Sequence, residues 1–201
     1  MRGPQDLPAA DLLNLRKGGG TVAQTGRVKP AHPAARRILV AGVSGVGKST
    51  LCREIARRTG LPYTELDSLH HGPGWVKRDD FESDVARIAA SDAWVSEWQY
   101  KQVRPVLEQR AELLVWLDLP TRVTMSRVIQ RTIKRSITRE ELWNGNREPA
   151  LWRALTSHDS IIRWAWQTRN KWRPVIPTLT LPVVHLTSRK AVEDWLAQLP
   201  R

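Results

Sequence analysis

The stretch Gly42-Val43-Ser44-Gly45-Val46-Gly47-Lys48-Ser49-Thr50 constrains this chain more than any other. It satisfies the pattern G-x-x-x-x-G-K-[ST], in which glycines let the backbone curl so that successive N–H groups point into one hollow. Such a hollow at the start of a helix attracts phosphate, because the helix end carries unpaired N–H groups and the positive end of the dipole. The flanks agree. Ile38-Leu39-Val40 is an apolar, strand-forming run before the loop, and Leu51 to Arg58 favours a helix after it. The loop residues Gly42, Ser44, Gly45, Val46, Gly47, Ser49 and Thr50 are therefore expected to cradle nucleotide phosphates. Lys48 would reach the β- and γ-phosphates, and the Ser49 hydroxyl would face Mg²⁺. A ligand-free glycine turn is the alternative. Cys52, on the following helix, reads either as a thiol activated by the helix start or as a small residue packed on the sheet.

Beyond Arg37, short apolar runs alternate with amphipathic stretches, the pattern of a parallel sheet covered by helices on both faces. Five strands are expected: Ile38–Ala41, Tyr63–Leu66, Ala93–Ser96, Leu113–Leu117 and Pro182–Leu186. Helices are expected over Lys48–Arg58, Asp79–Ala90, Thr121–Arg135, Pro149–Trp172 and Arg189–Gln198. Asp79 with Glu82 and Thr138 with Glu141 have capping-box spacing, the second opening a short helix that Gly145 ends. Trp164 and Trp166 cannot share a helix face, which predicts one in the core and one partly exposed. Residues 1–34, rich in Gly, Pro and Ala, read as a flexible basic extension to a domain over 35–201.

The 201 residues hold 32 Lys or Arg against 20 Asp or Glu, a net charge of +12. Much of the surplus lies at residues 122–173, where twelve basic side chains face four acidic ones. Net positive charge favours phosphate-rich partners, so nucleic acid competes with nucleotide as the explanation. No helix-turn-helix, zinc-knuckle or RNA-binding signature is present. No apolar run nears the roughly 20 residues of a membrane span. With one cysteine and no signal-like start, the expected setting is cytoplasmic.

Other phosphate-loop classes are disfavoured. Asn170-Lys171-Trp172-Arg173 lacks the Asp of a guanine-reading motif, and Asp118 is followed by Leu119-Pro120 where a remodelling ATPase would carry Glu. A transporter signature is absent. A small-molecule kinase, with a substrate segment after the second strand and an arginine-rich lid after the fourth, remains.

Several segments carry a closer resemblance: Glu65-Leu66-Asp67-Ser68-Leu69-His70-His71-Gly72-Pro73-Gly74-Trp75, Trp94-Val95, Leu117-Asp118-Leu119-Pro120, Arg127 to Arg135, and Glu141-Leu142-Trp143-Asn144-Gly145-Asn146-Arg147-Glu148. Together they resemble the adenylate-kinase-like DNA topology modulation, or flagellar-regulation, proteins over about residues 37–196. One departure is Glu97-Trp98-Gln99-Tyr100, where many relatives have Asp-Gly-Asn-Tyr. The resemblance implies an α/β phosphate-loop fold of nucleoside-monophosphate or shikimate kinase type, using ATP and Mg²⁺ with an unidentified acceptor. In that reading Asp67 takes a proton from the acceptor or orders water at the metal, and Glu97 joins Ser49 near Mg²⁺. Arg127, Arg131 and Arg135, at helical spacing on a lid of about residues 122–148, close over the nucleotide. Arg131 and Arg135 would meet the transferring phosphate, and Arg127 or Arg131 the adenine. The alternatives are a turn Asp and a solvated basic face. His70 and His71 are expected to border the cleft, and Asp118 to be structural.

Overall fold

The computed structural model describes residues 35–138, 141–146 and 161–200. The expected extension over 1–34 and the expected helix start over 149–160 lie outside the described residues. Four strands, β1 (Arg37–Gly42), β2 (Trp94–Glu97), β3 (Leu113–Leu117) and β4 (Val183–Leu186), form one sheet in the order β2-β1-β3-β4. Every neighbouring pair is parallel, with Leu39 opposite Ser96 on one side and Leu114 on the other. Parallel strands need crossovers, and helices supply them. These are α1 (Lys48–Thr59), α2 (Leu66–His70), α3 (Phe81–Ala90), α4 (Arg104–Arg110), α5 (Thr121–Thr138), α6 (Ile161–Gln167) and α7 (Arg189–Leu196).

Strand periodicity divides the core in two. Ile38, Val40, Val115 and Leu117 point toward α1 and α7, where Leu51, Cys52, Ile55 and Trp195 are buried. Leu39, Ala41, Leu114 and Trp116 point the other way, onto Phe81, Val85, Leu107 and Ile176. With both faces covered, the central strands can be apolar throughout, which is why Ile38 to Ala41 reads as an unbroken run. Truncating a large, fully buried side chain among them, such as Leu39, Ile55 or Leu114, to Ala would cost about 2–5 kcal/mol.

The expected five-stranded sheet is corrected to four strands. Tyr63 makes a single parallel bridge to Val95, and the Pro62 carbonyl accepts from Val95 N at 2.9 Å, so the chain touches the sheet edge only once. Pro62 has no N–H to donate, and Glu65 already caps α2, so the edge cannot extend into a ladder. The capping boxes also give way. Asp80, not Asp79, precedes α3, and Glu82 accepts from Lys77 Nζ at 2.6 Å. Thr138 belongs to α5, where its hydroxyl donates to the Lys134 carbonyl at 3.0 Å. The expected short helix becomes a single 3₁₀ turn over Trp143–Gly145. α4 and α2 are additional helices, too short to show clear periodicity. No helix among the described residues is long and apolar enough to cross a membrane.

The chain leaves β1 toward β2 on one side and later returns to β3 on the other. The carboxyl end of β1 is thus the point where strand order reverses, the usual ligand crevice of an open α/β sheet. The loop Gly42–Gly47 occupies it.

Candidate functional site

Two glycines show why the loop takes this form. Gly45 sits at φ +74°, where an added Cβ would lie 2.5 Å from Val128 Cγ2 and 2.6 Å from the Thr124 carbonyl oxygen. Gly42 meets the Leu117 carbonyl almost as closely, at 2.9 Å. The hollow is therefore pressed against β3 and α5, and only hydrogen fits on its outer side. Lys48 lies on α1 with Nζ 3.5 Å from the Val43 carbonyl, folded back over the loop. Arg127 Nη1 donates to the Val46 carbonyl at 3.0 Å, so this arginine braces the loop from α5.

A cleft of about 1710 Å³ opens above the loop. Lys48, Ser49, Thr50, Asp67, Glu97, Arg127, Arg131 and Arg135 all line it, so the structure brings together the residues singled out in the sequence. The three arginines share α5 and one side of it. Asp118 stays outside the lining and bonds Arg173 and His185 at 3.4 and 3.3 Å, a structural role. His71 borders the cleft, whereas His70 stacks on Tyr100 with ring centroids 4.2 Å apart.

Glu97 ends β2 and is only 1% exposed. Burial holds its carboxyl above the usual carboxylate range, while the charge of Lys48 and a hydrogen bond from Ser49 pull it back. The Tyr63 hydroxyl also donates to it, at 3.1 Å, which gives the lone sheet-edge bridge a purpose. Asp67, in the first turn of α2, accepts from Gln99 Nε2 at 2.8 Å and from the Tyr100 hydroxyl at 2.5 Å. Both donors meet Oδ1. Tyr100 achieves this at φ +57°, a conformation costly for a bulky residue. Burial and the Asp67 carboxylate raise its phenol pKa, so it stays a donor at neutral pH.

Cys52 is fully buried, and burial pushes its thiol well above the usual range. The packing reading holds, because burial outweighs the charges of Lys48 and Arg53 that pull the other way.

Several contacts around the site carried no clear signal in the sequence. Asn144 and Asn146 join two of the segments on which the family resemblance rests. Asn146 Nδ2 donates to the Gly72 carbonyl at 2.8 Å, its Oδ1 accepts from Trp75 N at 2.9 Å, and Asn144 Nδ2 donates to the Ser68 carbonyl at 3.3 Å. Trp164 and Trp166 were expected to divide between core and surface. Instead both are exposed, 44% and 53%, each with a cation over its ring: Lys171 on Trp164 and Arg169 on Trp166. Ala165 is the residue that α6 buries. Lys171 and Trp172 line the cleft, as does Arg104. The only sequence hint was the interleaving of Trp and basic residues between Trp164 and Arg173.

The chain is similar to known proteins in sequence and, for one solved structure with a TM-score above 0.5, in fold. The chain is 25% identical over 166 residues to the "Putative adenylate kinase" of Pyrococcus furiosus, covering 79% of this chain and 90% of that one. The shikimate kinase of Acinetobacter baumannii, solved with shikimate, superposes with a TM-score of 0.51 at 16% identity, covering 83% and 91% of the two chains. A gluconokinase of Sinorhizobium meliloti aligns at 23% identity over 81% of this chain and 90% of its own, with a TM-score of 0.47. The model of the AAA domain family matches residues 38–152, more than half of the chain and the whole span from β1 past the arginine helix. With its phosphate loop at the sheet's reversal point, the chain belongs to the AAA domain family.

Proposed function

We propose that the protein is an ATP-dependent phosphotransferase that moves the γ-phosphate to a small-molecule or nucleotide acceptor. One observation carries the reading: the loop, the Asp67 carboxylate and the arginines of α5 converge on a single cleft. Phosphoryl transfer asks a protein mainly to position reactants and offset developing charge, and these groups divide that labour. The loop amides and Lys48 would hold the β- and γ-phosphates. Asp67, oriented by Gln99 and Tyr100, would accept the proton of an attacking hydroxyl. Arg131 and Arg135 would close on the transferring phosphate as part of a lid over about residues 122–148. Arg127 would keep the loop in shape from beneath, beside any contact with the adenine.

The donor set suits Mg²⁺. Ser49 and the buried Glu97 already hydrogen-bond each other, and both are oxygen donors. Among the described residues no cluster of three His, Cys, Asp or Glu side chains could hold a metal, which fits an ion that takes most of its ligands from phosphates and water. When bound there it would supply positive charge to the phosphate oxygens. The sequence resemblance to the topology modulation proteins adds a family expectation to this reading, and a cytoplasmic setting agrees with it.

The test is Arg135→Ala, with ATP turnover and DNA binding measured on the same preparation. An arginine that meets the phosphate chiefly in the transition state affects turnover more than ATP affinity. Turnover should fall at least about a hundredfold, since such arginines contribute on the order of 10³-fold or more. Unchanged turnover beside weakened, less salt-dependent DNA binding would replace this reading with nucleic-acid binding.

A further inference from the structure

In the same cleft, two cations, Arg104 and Lys171, sit among indole rings, and among the described residues neither makes an ion pair with a carboxylate. The Arg104 guanidinium lies 5.0 Å from the centroids of both Trp98 and Trp172. Lys171 Nζ lies 4.5 Å from the Trp172 ring and 4.8 Å from that of Trp164. Trp98 and Trp172 pack on each other at 4.6 Å, so the five groups form one block. Arg104 begins α4 one turn after Tyr100, whose hydroxyl holds Asp67, and its N–H donates to the Tyr100 carbonyl at 3.3 Å. The block is thereby tied to the side where an acceptor would sit.

Two donors in the block are buried without a hydrogen-bond partner: Arg104 Nε and Trp172 Nε1. Trp172 is only 7% exposed, and it lines the cleft. Buried donors left unpaired cost about 1–3 kcal/mol each, so a native site that keeps two of them together needs an account. Lys171 adds a second sign of the same kind. Burial, followed by the charges of Lys48 and Arg104, lowers its pKa to about 8. Like charges are held close together here, and the acid that touches the block, Glu108, accepts from Trp98 Nε1 at 2.7 Å; among the described residues neither cation makes an ion pair.

We propose that Arg104, Lys171 and the Trp172 indole N–H bind an oxyanion carried by the phosphoryl acceptor. An Arg Nε–Nη edge offers two parallel donors, the match for two oxygens of a carboxylate or a phosphate. The indole N–H offers a third donor, and Lys171 is a mobile point charge that follows either geometry. The indole faces hold both cations in place, so little side-chain freedom remains to be lost on binding. Two positive charges match a phosphate monoester, which carries about −1.5 to −2 near pH 7, better than a carboxylate. This inference rests on the phosphotransferase reading only in treating the phosphate loop as the nucleotide site.

The experiment uses full-length protein saturated with Mg²⁺ and the non-hydrolysable analogue AMPPNP, so that the loop is filled. Inorganic phosphate and acetate are then titrated separately and followed by calorimetry. Phosphate is expected to bind in the millimolar range and acetate more weakly; the reverse order would assign the site to a carboxylate acceptor and still support it. Lys171→Gln should weaken phosphate binding about tenfold or more, the loss of one charged hydrogen bond, while AMPPNP affinity stays within about threefold. Lys171→Arg should restore most of it. Arg104→Gln should act alike, and if that variant fails to fold, the Lys171 pair decides alone. Binding of neither anion to the loaded wild type, or equal anion binding by Lys171→Gln, would overturn the proposal. A parallel loss of AMPPNP affinity would also overturn it, by placing Lys171 with the nucleotide. Failure of AMPPNP itself to bind would instead remove the phosphotransferase reading, and phosphate titrated into Lys48→Ala protein would then test the Arg104–Lys171 block by the same criteria.

Discussion

The phosphate loop offers main-chain amides from one β–α junction, whereas the facing wall of the cleft is put together from side chains of five separate segments. Asp67 comes from α2, Gln99 and Tyr100 from the turn after β2, Arg104 from α4, Leu142 and Trp143 from the turn after α5, and Lys171 and Trp172 from beyond α6. A main-chain hollow tolerates many side chains but few changes of backbone. A side-chain wall behaves the other way: its backbone can vary, and single substitutions change what it recognises. The nucleotide half of the cleft should therefore be sensitive to added volume and the facing half to lost polar atoms.

Gly45→Ala should show the largest effect. Its Cβ would meet the Thr124 carbonyl and Val128 at φ +74°, so the variant should lose about 3 kcal/mol or more together with its ATP affinity. Thermal unfolding with and without ATP measures both, and a stable variant that binds ATP would remove the contrast between the two halves. Lys48→Ala comes next. It should leave the fold intact but cancel most of the ATP-dependent gain, about 2.7 kcal/mol when ligand stands at 100 times Kd. A melting temperature that ATP raises as much in this variant as in wild type would exclude Lys48 from phosphate binding.

Behind the facing wall, Asn146 is 4% exposed and bonds two carbonyls and one N–H, tying the Trp143 turn to the Gly72–Trp75 segment. Asn146→Ala should cost about 2 kcal/mol, a fall in Tm of about 4–8 °C, with ATP affinity retained. If ATP affinity fell in proportion, the two halves would be one cooperative unit. The smallest effect has the opposite sign. Folding raises the Glu97 pKa, so its ionisation opposes folding as pH rises through the folded value, and Glu97→Gln removes that opposition. The variant should melt about 2 °C or more higher at pH 7, with the gain vanishing below about pH 4, where the unfolded carboxyl is protonated too. A lower Tm at pH 7 would mean that the hydrogen bonds from Ser49 and Tyr63 outweigh the burial of charge.

The same contrast explains what could be read from the chain. The loop was legible because its geometry needs small residues at fixed spacing, and the inner strands because two-sided burial leaves unbroken apolar runs. The row Arg127, Arg131, Arg135 was legible because helical spacing alone puts it on one face. Tyr63–Leu66 misled because β-forming residues there are cut short by Pro62 and by the start of α2, and neither effect shows in apolar pattern. Lys171 and Arg104, 67 residues apart, meet only through the packing of Trp98 on Trp172. No local periodicity encodes such a contact. Asn144 and Asn146 were visible as part of a resemblance, yet their partners at Ser68, Gly72 and Trp75 were not.

Cys52, the sole cysteine, gives the protein a built-in gauge of its own breathing. Its sulfur lies between α1 and the sheet, one turn beyond Lys48, and no reagent can touch it until that layer opens. The rate at which a thiol probe modifies native protein therefore reports the free energy of that opening. A nucleotide anchored on the first turn of α1 would slow modification in proportion to its occupancy, so one chemical reaction could follow ligand binding without a label elsewhere in the molecule.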